Sequence, residues 1–309
     1  MVIKRHFAPH RIFWYVRYEL IFGVLSVLFA FYLHKSGYLN VGVSLAVVGL
    51  LATSLAIFLG FRNNASYSRW WEARTLWGTG INASRIFSRQ ILASVHSAIK
   101  ANSCSEAEAF NFAQEMIHRM GAYAHALRIH LRNAGDATEY SHLLPHEEYI
   151  AYDKNQNIPN MIMLKMAQRI KDGVREGKLG QFDPISLEPQ MATIQNWQGG
   201  CERIKNTPLP RVYDFFTRIF LFTFIAVLPL AILPAMKENL WLASITCGLI
   251  IFVFSIINKS GAVLENPFDN KVNDVPLTSM TVTIERDLLE MLGEESLPKK
   301  KFPENGILM

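Results

Sequence analysis

Thr53, Ile57 and Phe61 recur every four residues, which puts them on one face of a helix. Directly after Phe61 the chain reads "RNNASYSRWW", Arg62 to Trp71, with no proline at the change. An apolar stripe that runs on into Arg62, Asn63, Asn64, Ser66 and Ser68 could line a passage, narrow and dry at first, wider and wet beyond. Ordinary packing between helices uses the same spacing. The polar continuation is what favours a passage, because such side chains are costly against lipid and comfortable against water. Arg69, Trp70 and Trp71 read as an interface anchor. Trp prefers the membrane–water boundary, and Arg stacks on it or pairs with an acid such as Glu72.

Other chemistry-bearing residues form no recognisable catalytic set. His118 and His125 share a helical face at i, i+7, with His130 nearby. Seven residues is about 10 Å along a helix axis, too far for one metal ion without help from another element. "HEEY" at 146–149 lacks the second His of a zinc-protease motif, and no GxSxG, Walker loop or glycine-rich dinucleotide turn is present. Packed or solvated histidines are therefore expected, with no metal, no cofactor and no enzymatic activity. Cys104, Cys201 and Cys247 are odd in number and widely spaced, which argues against a disulfide-stapled secreted fold.

The elements that must position the stripe follow from hydropathy. Of 309 residues half are hydrophobic, 12% aromatic and only 18% charged, and the apolar residues gather at the two ends. Two N-terminal runs, Leu20–Leu33 (extended back through Phe13–Val16, with Arg17 and Glu19 near an interface) and Leu39–Phe61, are long enough to span a bilayer. The short link His34–Asn40 makes them a hairpin. Two more runs, Phe215–Met236 and Leu240–Ile257, are joined by "KEN". Between the pairs, Ala107–Arg132 and Met161–Arg175 have helical patterning, broken by "GDATEYSHLLPHEEY" and "GQFDPISLEP".

The expected division is 1–61 for the N-terminal segment and first two spans, and 62–212 for a cytosolic helical region. Spans three and four occupy 213–258, and 259–309 is a cytosolic C-terminal segment and tail. Lys4, Arg5 and Arg11 precede the first span, and Arg62, Arg69 and Arg74 follow the second. Arg203, Lys205 and Arg211 precede the third, and Lys259 follows the fourth. By the positive-inside rule both termini and the middle region are cytoplasmic, in a multi-pass protein of the inner (plasma) membrane. The net charge of +5 is explained by this topology, and no basic stripe points to nucleic acid.

"FLGFRNNASYSRWWEARTLWG" resembles the signature of the bestrophin family of ion channels, in particular its bacterial branch. Three further landmarks occur in matching order: "FDPIS" at 182–186, "GCERIKNTPLPRVY" at 200–213, and "LENPFDNKVNDVPLTSMTVTIERDLLEM" from Leu264. The resemblance implies an all-α membrane protein with four transmembrane helices per subunit and a large helical cytosolic region. Five copies would surround one axial pore, with membrane lipids and permeant monovalent ions as the other partners. The family's hydrophobic neck falls on Thr53, Ile57 and Phe61, where Thr53 departs from the usual aliphatic residue. A second, cytosolic constriction falls on Ile185. Rings of Ile57 and Phe61 would gate by wetting and dewetting.

Apolar neck residues do not settle the sign of the permeant ion, whereas rings of acids favour cations. Asp183 and Glu188 flank Ile185 and could form such a ring, although Asp183 could equally cap a helix ahead of Pro184. The reading leans toward cations such as sodium, with chloride the alternative. Animal members bind calcium after the Asn-Pro-Phe. Here Asp269 and Asp274 stand alone, and Lys271 lies where the family's run has a carboxylate. A calcium site is therefore not expected. A membrane-anchored sensor or scaffold with a helical cytosolic domain is the alternative function. A secondary transporter would normally need more spans and an inverted repeat.

Overall fold

The structure, a computed structural model, describes residues 1–3, 9–38, 42–152 and 154–309, the side chains of 9–11 excepted. Lys4, Arg5 and the start of the second apolar run at Leu39 lie outside the described residues, as does the side chain of Arg11. Among the described residues the chain is helical, with only isolated β-bridges that join Val2 and Glu304 to Ile307.

Four helices are long and apolar enough to cross a membrane. They are α1 (Pro9–Lys35), α2 (Leu45–Lys100), α7 (Arg211–Ala235) and α8 (Leu240–Leu264). The other elements are α3 (Glu106–Arg132), a 3-10 helix (Ala137–Leu143), α4 (His146–Tyr152), α5 (Ile158–Arg175), α6 (Asp183–Asn206) and α9 (Leu277–Met291). α2 begins where the Ser44 hydroxyl accepts from the Ala46 N–H, an N-cap arrangement. It then runs unbroken for 56 residues, about 84 Å at 1.5 Å per residue.

The chain forms two compact units, with α2 passing from one to the other. One comprises Lys4–Trp70 and Pro208–Asn266, and so holds α1, the first part of α2, α7 and α8. Leu55 and Leu59 of α2 are buried there with Phe224, Ile225 and Leu228 of α7 and with Cys247 and Ile251 of α8. Gly23 lets α1 come close to α8: a Cβ there would sit 3.0 Å from Ile251 Cδ1. The outer faces stay apolar and open, as at Leu25, Leu28, Phe29, Leu50, Trp241 and Leu249. Such faces suit lipid or further protein, not water.

Charges gather in this unit where α1 and α7 begin and where α8 ends. Glu19, expected near an interface, is buried and pairs with Lys259 at 2.9 Å. Arg17 stacks instead on the outward Trp14 and Tyr18 rings, 3.9 and 4.5 Å from their centroids. Arg211 pairs with Glu265 at 3.1 Å, and the exposed Arg218 with Asp214 at 2.8 Å.

The other unit comprises Met1–Ile3, Trp71–Thr207 and Pro267–Met309. α3 is its central element, packed against α5, α6 and α9. Its start has a reciprocal capping box: the Ser105 hydroxyl accepts from Glu108 N–H, and the Glu108 carboxylate accepts from Ser105 N–H. Trp77 of α2, Tyr123 of α3 and Trp197 of α6 are fully buried, with edge-to-face contacts of 4.9 Å (Trp77–Trp197) and 5.7 Å (Tyr123–Trp197).

"GQFDPISLEP", expected as a break, instead opens α6 at Asp183. Pro184 is tolerated because the first turn needs no N–H partner. Pro189 lies inside the helix and removes the N–H that would bond the Ile185 carbonyl. "GDATEYSHLLPHEEY" likewise contains the 3-10 helix and the start of α4.

Candidate functional site

The two faces of α2 between Thr53 and Ser68 have opposite fates. Leu55, Leu59, Arg62 and Ser66 follow one helical stripe and are buried. Thr53, Ile57, Phe61, Asn64 and Ser68 follow the opposite stripe and are exposed. Ile57 is 54% and Phe61 64% accessible, comparable with the outward Leu50, Ile245 and Leu249 of the same bundle. What sets this stripe apart is that it runs on into the exposed Asn64 and Ser68. The Thr53 hydroxyl is turned back onto its own helix, where it donates to the Gly49 carbonyl at 2.9 Å. That bond masks much of the polarity by which Thr53 departs from an aliphatic residue.

Just beyond Phe61 the helix is bound to its neighbours. Arg62 meets Asp214 of α7 at 2.5 Å and donates to Asn258 Oδ1 of α8 at 2.6 Å. Asn63 donates to the Ile257 carbonyl at 2.8 Å. Beside this node lies a cavity of about 390 Å³, bordered by Phe61, Arg62, Tyr213, Asp214 and Glu265 among others. Hydropathy alone groups Arg62 and Asn63 with the water-facing polar residues. Arg62 instead points into its own bundle, because α7 and α8 supply the acceptors.

Of the expected anchor, Trp71 is 56% exposed while Arg69 and Trp70 are half-buried. Glu72 bonds Arg203 of α6.

In the other unit, Ile185 and Phe182 project from the start of α6, 71% and 79% exposed. Asp183 makes no cap to the first turn; its Oδ2 accepts from Gly180 N–H at 2.8 Å and closes the preceding turn. Glu188 is exposed, three residues on from Ile185 and so on the same side of the helix.

The α3 histidines each meet a carboxylate. His118 contacts Glu294 at 3.0 Å, and His130 lies 3.3 Å from Glu202. His125 contacts Glu285 of α9 at 2.8 Å, and His142 reaches the other oxygen of that carboxylate at 3.0 Å. Burial opposes the Glu285 charge, but its two imidazole partners outweigh this and hold the carboxyl below its usual range. Nothing in the local sequence singles out Glu285. Asp269 is paired with Lys205 at 3.0 Å and Lys271 at 2.9 Å. Burial pushes the Asp274 carboxyl up, and the Asp269 charge adds to it.

Four apolar spans, a pairing of charges near the bundle's end and an outward apolar stripe define a helical membrane protein of the multi-span class. Residues 10–290 match the family described as Bacterial/Fungal Bestrophin protein, and the chain belongs to that family. A voltage-dependent anion channel-forming protein of Ralstonia nicotianae is 31% identical over 281 residues, 91% of this chain and 88% of that one. One from Escherichia coli K12 is 32% identical over the same shares of each chain. A crystal structure of a mutated bacterial bestrophin homolog from Klebsiella pneumoniae is 28% identical. It superposes with a TM-score of 0.80 over 90% of this chain and 97% of that chain.

Proposed function

We propose that this chain is the pore-forming subunit of a homopentameric ion channel that passes monovalent ions. α2 lines the axis, with Thr53, Ile57 and Phe61 as a hydrophobic neck and Ile185 as a cytosolic constriction. Residues 62–212 and 259–309 lie in the cytoplasm with both termini, and the spans cross the inner membrane. The observation that carries this reading is the outward stripe of α2. Ile57 and Phe61 need cover from lipid or from further copies, and Asn64 and Ser68 on the same stripe disfavour lipid. Closed rotational symmetry turns one such stripe into a ring. The ring is water-poor, and its dilation lets ions through with no covalent step.

Two readings differ on the sign of the ion. Glu188, exposed beside Ile185, favours cations such as sodium by forming an acidic ring. Against it, Asp183 is engaged by Gly180, and the relatives from Ralstonia and Escherichia are named as anion channels. The reversal potential of purified protein in a planar bilayer under a salt gradient separates the two. Phe61→Ala and Ile57→Ala are each expected to raise conductance. No current from any preparation would support the scaffold reading instead, and unchanged conductance in both variants would remove the neck.

A further inference from the structure

Phe61 and Arg62 are successive residues of α2 with opposite surroundings: Phe61 is 64% accessible and Arg62 only 5%. The Arg62 side chain reaches two other helices. Its Nη2 lies 2.5 Å from Asp214 Oδ1 of α7, and its Nη1 lies 2.6 Å from Asn258 Oδ1 of α8, with the Asn258 carbonyl at 3.4 Å. The next residue adds a second tie, Asn63 Nδ2 to the Ile257 carbonyl at 2.8 Å. Gly261 makes room for that tie: a Cβ there would stand 2.1 Å from Asn63 Oδ1 and 3.3 Å from Asn63 Cα. Asp214 is held from its other side by Arg218 at 2.8 Å.

Apolar contacts above this level, such as Leu55 and Leu59 in the bundle core, tolerate small rotations of a helix because they are not directional. The charge-assisted hydrogen bond from Arg62 to Asn258 of α8 is directional and resists such rotation, while the Asp214 carboxylate of α7 holds the same guanidinium as an ion pair without adding a second hydrogen bond. A turn of α2 by about 20° would carry a side-chain tip about 2 Å sideways, given a helix radius of about 5–6 Å with side chains. A shift of that size at Phe61 is comparable with the radius of a dehydrated ion.

We infer that Arg62 is a positioning residue: by its ion pair with Asp214 and its hydrogen bond to Asn258 it fixes the rotation of α2 and so aims Phe61 away from its own subunit's core. The inference rests on the reading of α2 as the pore-lining helix, and it adds a determinant of gating outside the neck. Arg62 does not touch the ion path. It acts through Phe61.

The experiment uses the full-length protein with two readouts. In planar bilayers, Arg62→Gln and Asp214→Asn are compared alone and in a Phe61→Ala background. Each alone is expected to change open probability about threefold or more, as for contacting residues in one network. The change should vanish once the ring is gone. An equal effect in both backgrounds, or none in either, would overturn the inference, since a merely structural role does not depend on Phe61.

The second readout is the rate at which a charged thiol reagent modifies Phe61→Cys in a Cys104→Ser background, with and without Asp214→Asn. A change of about threefold or more is expected, and an unchanged rate overturns the inference. This readout needs no conduction, so a wild-type protein silent in bilayers would sink the channel reading while the rotation of α2 is still measured. Asp214→Asn preserves side-chain shape and serves both readouts if Arg62→Gln does not fold.

Discussion

Gly80→Ala is a sharp test of how α6, which carries Ile185 and Glu188, is seated on α2. A methyl group at this position would lie 2.3, 2.4 and 2.6 Å from three atoms of the Trp197 indole, where ordinary contact begins near 3.4 Å. The overlap is thus about 1 Å on a rigid ring. Trp197 has nowhere to go: it is fully buried, with Trp77 at 4.9 Å and Tyr123 at 5.7 Å. Overpacking a filled core by one carbon costs about 1–3 kcal/mol, and this geometry belongs at the upper end. Replacing a mid-helix glycine by alanine returns about 1 kcal/mol through helix propensity. The net is a loss of about 2 kcal/mol, or a fall in melting temperature of about 4–8 °C on the scale of larger domains. Tryptophan fluorescence during thermal unfolding in detergent reads it directly. Trp197→Phe in the same chain should restore part of the loss by opening space. A Gly80→Ala protein that melts at or above the wild-type temperature would refute the packing argument.

Two other outcomes follow from the same unit. Arg119 is buried and bonds both Glu115 and Glu148, so Arg119→Met strands carboxylates that have other partners, Arg169 and Tyr152, to share the burden. A loss of about 3 kcal/mol is expected in denaturant titration, at the low end for a broken buried pair, and Arg119→Met with Glu148→Leu should lose less. Glu285 has its carboxyl held below the ordinary value of 4.5, so its contribution is complete above that pH and disappears as the pH falls through the depressed folded value. Protection factors of the α9 amides, which take out the intrinsic pH dependence of exchange, should therefore stay level from pH 7 to about 5 and fall in more acid solution, and Glu285→Gln should lose much of that dependence.

The four apolar runs are legible in the amino-acid sequence because hydropathy is a property of contiguous residues, and each lies in a helix. Three keep near their expected limits, whereas the second, expected at Leu39–Phe61, lies in a helix that starts at Leu45 and continues to Lys100. Helical patterning likewise places α3 and α5 within a few residues of their ends. The proline-containing stretch before Leu187 misleads, since a proline stops a helix in its interior yet is accepted in the first turn. Spacing alone puts Glu188 beside Ile185, whereas Asp183 is caught by a neighbouring backbone N–H that no local pattern announces.

What the sequence determined by itself is the set of faces: which residues of α2 share a stripe, where the apolar part ends, and which segments are greasy enough to leave water. Only the tertiary structure decided the partners. Glu19 found Lys259 across 240 positions, Arg62 found Asp214 and Asn258, and His125 found Glu285. The reason is physical. A helical period is fixed by 3.6 residues per turn and can be read locally, but an ion pair depends on which other helix brings its charge within about 4 Å.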